Sequence, residues 1–423
     1  MRVCLLVPEL GRSGGAQTIR SLVRALDEHE GIEVDVLVTD PRAAGRSELP
    51  DGGPEYDVAV ATWWETAADL WRVRAARRAV LLQSVESRFY EERHFVERLA
   101  AEEVLALPVA FLPIARWMCD VLAELRPDAR CELVPPGIDK AVFAPRERRP
   151  REGPLRVLVD GQPSMWFKGV REAVASVRAM EEPAELTVVA GDPGDAGDLD
   201  GARVVGGLDP PGMASLYAES DVLIKLSRVE GLGLGPLEAA HVGTPSVVAP
   251  YTGHDEYLAH GRNGLVVGFD DEPGTARALD RLARDPELLA RLSEGALASS
   301  SDWPSAGDSG AAFAAALRRV AEAPAPDPDR ALAALALAHR RRLELTREHL
   351  RQAGAELEQA RGQRDWFHMA LEEARAMVEE LNASMRDLEA VVAAKDRQIA
   401  DIRGERAYRA AAAVRRVVRR RDR

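Results

Sequence analysis

Residues 220–240 read SDVLIKLSRVEGLGLGPLEAA, and this stretch decides the fold. Its run Val222 to Lys225 is typical of a buried strand. Glycines follow at alternate positions from Gly231 to Gly235, and Pro236 is suited to the first turn of a helix. The stretch therefore predicts a strand, a flexible turn and a helix, in which the amides of the turn and the helix end can face a diphosphate.

The same alternation of short apolar runs and helix-like segments extends in both directions. It begins with the run Val3 to Val7 and restarts after an Arg- and Pro-rich linker, Phe143 to Pro154. The alternation predicts an α/β fold class with two Rossmann-like domains, 1–148 and 155–323, each a parallel sheet with covering helices. Parallel sheets bind ligands at the carboxyl ends of their strands, so we expect the site in a cleft between the domains.

The spacing of apolar residues changes beyond the linker Pro324 to Asp329. Apolar residues recur every seven positions from Leu343 to Ile399, interrupted at Arg364, and mostly small or apolar residues lie three positions further on. This seam predicts a long α-helical coiled coil over 330–405 and a homo-oligomer. A single long helix folded back on the domains is the alternative.

A basic amphipathic tail occupies residues 406–423. Its arginines lie beside a short apolar stripe, which fits an anionic membrane surface and predicts a peripheral position at the inner face of the membrane. A solvated tail or an Arg-rich contact for nucleic acid is the alternative for this segment.

Composition limits the class of protein. The chain of 423 residues is longer than a single hydrophobic core usually supports, which favours more than one domain. Its net charge of −13 argues against nucleic acid as a partner of the whole chain. The three cysteines, Cys4, Cys119 and Cys131, show no metal-ligand pairing, and no signal sequence or membrane-spanning apolar stretch is visible. These features predict a reduced, cytoplasmic setting, and the Arg- and Ala-rich composition suggests a bacterial source.

Two carboxylates flank the glycine turn, Glu230 before the predicted helix and Glu238 in its first turn. Each can accept hydrogen bonds from a vicinal diol of a ribose or hexose. Taken alone, Glu238 is better explained as a solvated first-turn acid and Glu230 as a loop carboxylate without a role, but the glycines between them favour the functional interpretation. In the first domain, Gly14 and Gly15 precede a helix and let the backbone approach a phosphate or sugar. Their spacing is not the G-x-G-x-x-G of a dinucleotide fold, which disfavours a nicotinamide dehydrogenase.

With these motifs in place, the sequence resembles the large retaining glycosyltransferase family 4, whose members have the GT-B fold. The resemblance covers residues 1 to about 322 and is specific in the second domain. The motifs that carry it, in chain order, are Gly14-Gly15, Val134-Pro135-Pro136-Gly137-Ile138-Asp139, Lys168-Gly169, the E-x7-E pair Glu230 and Glu238, His241 to Ala249, and Gly261 to Val267.

The resemblance implies a role for each matching residue. Glu238 would hold the ribose hydroxyls of a nucleotide sugar, Glu230 would contact the transferred sugar, and Lys168 would neutralise the diphosphate, with Lys168 and Glu230 as the catalytic pair. The backbone amides of the cradle would come from Gly14, Gly15, Gly231, Leu232 and Gly233. The family commonly works without a metal, so we expect no metal and no cofactor, the nucleotide sugar being a substrate.

One departure from the family pattern concerns charge. The family usually has a Gly-Arg pair ahead of the lysine, where this chain has Asp160-Gly161-Gln162. Gln162 cannot supply the second positive charge, so we expect Arg228 or another arginine to replace it in the donor site, or activity to be reduced. This departure keeps open an alternative function, a turnover-deficient glycosyltransferase-like scaffold whose coiled coil organises polysaccharide enzymes.

On the acceptor side, two stretches follow first-domain strands, Thr62 to Glu65 and Gln83 to Tyr90. They predict Trp63, Trp64 and Glu86 in the cleft, where aromatic faces suit sugar stacking, although tryptophan at such places is also ordinary core material. The second stretch looks like that of family members that extend bacterial surface polysaccharides, including rhamnan-type enzymes. The resemblance thus implies retaining transfer of a sugar to a glycan or lipid-linked acceptor in bacterial surface polysaccharide synthesis.

Overall fold

The computed structural model describes residues 1–9, 14–27, 29, 31–39, 55–146, 153–199, 201–324 and 340 and, with gaps, 343–409. The chain divides into two compact units, Met1–Thr346 and Arg347–Arg423. The first unit contains two parallel sheets. The predicted α/β class with two Rossmann-like domains is therefore confirmed.

The first sheet has five parallel strands in the order β2-β1-β3-β4-β5. Residues 3–7 of β1, which has a neighbouring strand on each side, are almost fully buried. Burial on both faces explains why the strands of a parallel sheet read as continuous apolar runs. The elements of this part are β1 (Arg2–Val7), α1 (Gly14–Asp27), β2 (Glu33–Val38), β3 (Tyr56–Ala61), α2 (Trp64–Ala67), β4 (Ala75–Leu82), α3 (Phe95–Glu103), β5 (Ala110–Pro113) and α4 (Arg116–Leu125).

The second sheet has six parallel strands in the order β11-β10-β9-β6-β7-β8. Its central strands β6 and β9 are neighbours, so their carboxyl ends lie side by side. The elements are β6 (Leu155–Asp160), α5 (Val170–Arg178), β7 (Ala184–Ala190), β8 (Arg203–Gly206), α6 (Pro210–Glu219), β9 (Val222–Lys225), α7 (Leu234–Val242), β10 (Ser246–Val248), β11 (Gly264–Val266), α8 (Glu272–Arg284), α9 (Pro286–Ser301) and α10 (Ala306–Glu322).

The last helix of this series, α10, returns to the first sheet. It packs against α1, β3 and β4, and its side chains Phe313 and Leu317 lie in the first domain's core. The approach to α1 is close, since a Cβ on Gly310 would lie 2.2 Å from the Cβ of Ala25. The predicted second domain, 155–323, thus ends in a helix that belongs by packing to the first.

Beyond α10, residues 343–355 and 375–387 are helical apart from the gaps in the description. Seam residues in these helices are exposed, with Leu350 65% and Leu381 59% accessible. The coiled coil therefore stays a prediction. The tail 406–423, apart from Arg409, lies outside the described residues.

Candidate functional site

The centre of the site lies where β6 and β9 end side by side. Asp160 closes β6 and Lys225 closes β9, and the Lys225 side chain is buried. Its Nζ donates to the Asp160 carboxylate Oδ2 and to the Asp160 carbonyl oxygen, at 3.1 Å in each case. A buried ammonium group needs such partners, because an unpaired one would be strongly destabilising.

Glu230 lies in the turn that leaves β9 and binds two lysines through one oxygen. Its Oε1 is 2.9 Å from Lys168 Nζ and 3.4 Å from Lys225 Nζ. Burial alone would raise the pKa of Glu230, but the two ammonium groups outweigh it and lower the pKa to about 2. Glu230 is therefore ionised throughout the physiological pH range.

Lys168 is positioned by the glycine that follows it. Lys168 ends a short 3-10 turn, Trp166–Lys168, and Gly169 then adopts a left-handed conformation with φ of 63°. A Cβ on Gly169 would lie 2.2 Å from the carbonyl oxygen of Leu226. Only glycine fits there, so the Lys-Gly motif brings Lys168 against the segment that carries Glu230.

The sequence predicted Glu238 in the first turn of α7, but the residue lies in the second turn. The helix begins at Leu234, ahead of Pro236, because Gly233 is left-handed with φ of 84° and ends the turn there. Tyr217 Oη donates to Glu238 Oε2 at 3.2 Å. Burial raises the pKa of Glu238 to about 8, and the nearby Asp160 carboxylate contributes to this rise. At neutral pH the carboxyl is largely protonated.

The glycine turn between the two glutamates is held by groups from both domains. Trp117 Nε1 of α4 donates to the Gly231 carbonyl at 2.6 Å, and Tyr257 Oη donates to the Gly233 carbonyl at 2.8 Å. Leu232, between these two glycines, is buried in the hydrophobic core cluster that also contains strand β1 of the first sheet. A Cβ on Gly231 would lie 1.8 Å from the carbonyl oxygen of Gln83, so the turn approaches the first domain more closely than any side chain allows.

Gln83 joins the first-domain glycines to this turn. Its side chain lies 3.2 Å from the position of a Cβ on Gly15, and its Nε2 donates to the Thr62 carbonyl at 3.1 Å. Gly14 begins α1 with open space around it. Sequence reasoning did not single out Gln83, although its place directly after β4, at the carboxyl edge of the sheet, was a usable signal.

The predicted acceptor-side residues form one cluster in the first domain. Trp63 stacks on Phe89 with ring centroids 6.0 Å apart, and Trp64 Nε1 donates to Tyr90 Oη at 2.9 Å. The backbone N–H of Trp64 donates to Glu86 Oε2 at 2.6 Å. Glu86 is buried, and burial raises the pKa of its carboxyl well above the usual range. Glu86 thus positions Trp64 through this hydrogen bond.

This aromatic cluster reaches the second domain beside Lys168. Phe89 and Phe167 have ring centroids 5.0 Å apart, and Trp166 Nε1 donates to the Phe89 carbonyl at 3.1 Å. Arg88 Nη1 donates to Thr252 Oγ1, also at 3.1 Å. The stretch Gln83 to Tyr90 is therefore the first-domain wall of the site.

Gln162 and Arg228, also predicted in the donor site, have other partners. Gln162 pairs with the backbone of Asp192, its Nε2 donating to the carbonyl at 3.1 Å and its Oε1 accepting from the N–H at 3.0 Å. Arg228 forms ion pairs with Asp270 and Glu172. The second cation beside Glu230 is therefore Lys225, which sequence reasoning took only as the end of an apolar strand.

No group of three or more His, Cys, Asp and Glu side chains among the described residues is placed to hold a metal ion. No helix in the described part of the chain is long and apolar enough to cross a membrane.

Comparison with known families places a known domain over this site. Residues 169–298, which span α5 to α9, match the family described as glycosyl transferases group 1. Glycogen synthase of Mycobacterium tuberculosis is 32% identical over 183 residues, 40% of this chain and 44% of that protein. D-inositol 3-phosphate glycosyltransferase of Stackebrandtia nassauensis is 34% identical over 228 residues, 47% and 51% of the two chains. The chain thus spans about half the length of the curated relatives it matches.

Solved structures with the same architecture cover both domains. Sucrose-phosphate synthase of Thermosynechococcus elongatus superposes with a TM-score of 0.63 at 18% identity, over 75% of this chain and 98% of that one. HepE of Anabaena, solved in complex with UDP and glucose, gives 0.60 at 15% identity, over 75% and 99%. The fold is that of GT-B glycosyltransferases.

Proposed function

We propose that this chain, whose residues 169–298 form a group 1 glycosyltransferase domain within a GT-B fold, is a retaining glycosyltransferase. It moves a sugar from a nucleotide-sugar donor to a glycan or lipid-linked acceptor. The observation that carries the proposal is the Lys168–Glu230 pair, 2.9 Å apart, at one end of a glycine turn whose other end leads to Glu238. Cations and hydrogen-bonding carboxyls meet there at the carboxyl ends of parallel strands.

In this proposal each charged group serves one part of the donor. Glu238 holds the ribose hydroxyls, and Lys168 together with the N-terminus of α7 stabilises the charge that develops on the leaving diphosphate. Glu230, ionised, accepts hydrogen bonds from hydroxyls of the transferred sugar. The complexes of HepE with UDP and glucose and with UDP-glucose support a nucleoside diphosphate hexose as the first donor to examine.

The retaining route follows from the same groups. The bond between the anomeric carbon and the diphosphate oxygen breaks as the acceptor oxygen attacks from the same face, and the acceptor proton passes to the departing diphosphate. Lys168 neutralises that diphosphate, and no side chain is required as a general base. The name of the glycogen synthase relative supports a glycan acceptor, and the clustered Trp63 and Trp64 supply faces on which a sugar can stack.

We also propose that the chain self-associates and lies at a membrane surface. The heptad seam from Leu343 onward pairs with a second copy of the chain, and the tail 406–423 lies on an anionic membrane surface. This arrangement suits a lipid-linked acceptor and bacterial surface polysaccharide synthesis at the inner face of the membrane.

A turnover-deficient scaffold is the second candidate. It is favoured by Gln162, whose neutral side chain is engaged with the backbone of Asp192 where the family usually has an arginine. It is disfavoured by Lys225, which restores a second cation at the site. The two candidates differ in a single property, turnover of a donor.

Incubation of the purified chain with UDP-, GDP-, ADP- and dTDP-sugars tests the proposal, with release of nucleoside diphosphate as the measurement. We expect release with one donor class and its loss in Lys168→Met. Arg203→Met, which removes a positive charge at an exposed position at the start of the edge strand β8, is the matched control and should turn over like wild type. Binding of a nucleotide without release from any donor would favour the scaffold.

A further inference from the structure

Lys225 is the one buried lysine or arginine among the residues whose burial the structure describes, being 5% exposed. Its three N–H donors meet three acceptors: the carbonyl oxygen and Oδ2 of Asp160, and Oε1 of Glu230. Burial acts to lower the Lys225 pKa, but the Asp160 and Glu230 carboxylates reverse this and raise it. A charge held so firmly at the end of a strand needs a reason beyond strand stability, because an apolar residue would be the less costly choice there.

The two lysines that share Glu230 differ in their access to solvent. The Lys168 side chain is 20% exposed and that of Lys225 only 6%, although both contact the same carboxylate oxygen. A phosphate that arrives from solvent can therefore reach the Lys168 ammonium, and the Lys225 ammonium stays behind Glu230.

We propose that Lys225 is a positioning residue of the donor site, which keeps Glu230 ionised and oriented while Lys168 exchanges Glu230 for the donor diphosphate. This inference rests on the proposed function of the site. It also explains how the chain works with Gln162: the second positive charge comes from strand β9 and acts on the diphosphate through Glu230 and Lys168. Gln162 and Arg228 have other partners, the Asp192 backbone and the Asp270 carboxylate.

Without Lys225, Lys168 would be the one counter-charge left to Glu230 in the described part of the chain. A diphosphate that took Lys168 would then leave a buried carboxylate unpaired, and binding would require Glu230 to take up a proton. The other groups that face this cluster are the Asp160 carboxylate from β6, the protonated Glu238 from α7, and the hydroxyls of Tyr251 and Tyr257. With Lys225 present, Glu230 keeps an ammonium partner after Lys168 turns to the diphosphate, so no proton is needed.

The experiment is a cycle of four proteins in an Asp160→Asn background, which removes the second carboxylate that Lys225 pairs with and so lets Lys225→Met fold without an unpaired charge. The four proteins are the background alone, the background with Lys225→Met, the background with Glu230→Gln, and the background with both substitutions. Binding of UDP, GDP, ADP and dTDP is measured by calorimetry between pH 6 and pH 8, and thermal unfolding checks the fold.

With Glu230 present, we expect Lys225→Met to weaken binding of the preferred nucleoside diphosphate at least tenfold and to make it weaker still as pH rises. In the Glu230→Gln pair the same substitution should cost less affinity and show no dependence on pH, because the carboxylate that Lys225 supports is gone. An equal loss in both pairs, or no loss with Glu230 present, overturns the proposal.

The failure of this inference is distinguishable from failure of the proposed function. If the wild-type chain binds a nucleoside diphosphate but turns over no donor, the proposed glycosyltransferase activity is refuted. The binding measurements on the four proteins still test the role of Lys225. A wild-type chain that binds none of the four diphosphates has no donor site, which refutes both.

Discussion

At the scale of single residues, the two glutamates of the site have opposite electrostatic environments. Glu230 has its pKa lowered to about 2 and Glu238 has its pKa raised to about 8, although only eight positions separate them. The difference comes from neighbours: two ammonium groups contact Glu230, whereas Glu238 faces Tyr217 and the Asp160 carboxylate. The two carboxyls are therefore expected to differ in their effects on stability, nucleotide binding and turnover.

The raised pKa of Glu238 predicts a pH-dependent stability. The stability that the protonated Glu238 carboxyl contributes to the folded chain is complete at pH values below 4.5, the ordinary pKa of a glutamate. This stability is lost as pH rises through about 8, because ionisation of the carboxyl is disfavoured in the folded chain. In Glu238→Gln this loss should be absent. Between pH 5 and pH 8 the unfolding free energy of wild type should fall relative to the variant by about 2 to 4 kcal/mol. Urea unfolding of both proteins at each pH measures the difference, and a constant difference would contradict the assignment.

Different partners for the two glutamates predict different defects. Glu238→Ala should weaken binding of the free nucleoside diphosphate, by on the order of 1.5 to 3 kcal/mol, since the hydrogen bonds between its carboxyl and the ribose are lost. Glu230→Ala should reduce turnover and sugar discrimination more than nucleotide affinity. Calorimetry and steady-state kinetics on both variants separate these effects. Wild-type nucleotide binding by both would show that the ribose assignment of Glu238 is wrong.

At the scale of elements, the turn between β9 and α7 joins the two domains. The Gly231 backbone lies against the Gln83 carbonyl, where a Cβ would approach to 1.8 Å, and Trp117 of α4 binds the Gly231 carbonyl. Gly231→Ala must therefore shift the turn or separate the domains. We expect turnover to fall by on the order of 100-fold, as displacements of about 1 Å in a site commonly do.

The matched control for that prediction is Gly307→Ala in the first turn of α10. A Cβ there meets only Ser305 Oγ at 3.8 Å, an ordinary contact. Alanine is a better helix former than glycine, so this variant should keep full turnover and gain slightly in melting temperature. If Gly231→Ala turned over as fast as Gly307→Ala, the closeness of the turn to Gln83 would have no catalytic meaning.

The elements were largely predictable from the sequence, and the exceptions have a common physical cause. Buried parallel strands appear in the sequence as continuous apolar runs, and the Gly-rich turn with Pro236 indicated where the site lies. The start of α7 was misplaced because the helix begins after the left-handed Gly233, whose neighbours Tyr251 and Tyr257 are distant in sequence. Lys225 was overlooked for the same reason, since its role depends on Asp160 from another strand.

At the scale of the whole molecule, the positive charge is concentrated at one end of a negative chain. Residues 403–423 contain nine arginines against Glu405 and Asp422, in a protein of net charge −13. If this tail lies on an anionic bilayer, removal of 407–423 should free the protein from anionic vesicles at low salt and leave turnover of a soluble acceptor unchanged. Each basic residue near the surface contributes about 1 kcal/mol. Cosedimentation with vesicles of graded anionic lipid decides this, and equal binding by both proteins refutes it.

The return of α10 to the first sheet predicts where the chain can be cut. All the buried core residues described lie at or before Val320, and Arg77 Nε binds the Ala323 carbonyl at 2.8 Å. A chain that ends at residue 324 should therefore fold and unfold cooperatively as both domains, and should be monomeric because the heptad seam lies wholly beyond it.

A chain that ends at Pro304 is the contrasting truncation. It keeps every strand of both sheets but loses Phe313, Leu317 and Val320 from the first core, at about 1.5 to 3 kcal/mol for each large side chain. Since single domains are stable by only about 5 to 15 kcal/mol, the first domain should then be unfolded or aggregated. Light scattering and calorimetric melting of the two truncations measure both effects. An oligomer that persisted in the chain ending at 324 would locate self-association in the globular domains, and a cooperative melt of the chain ending at 304 would show that α10 is dispensable to the first core.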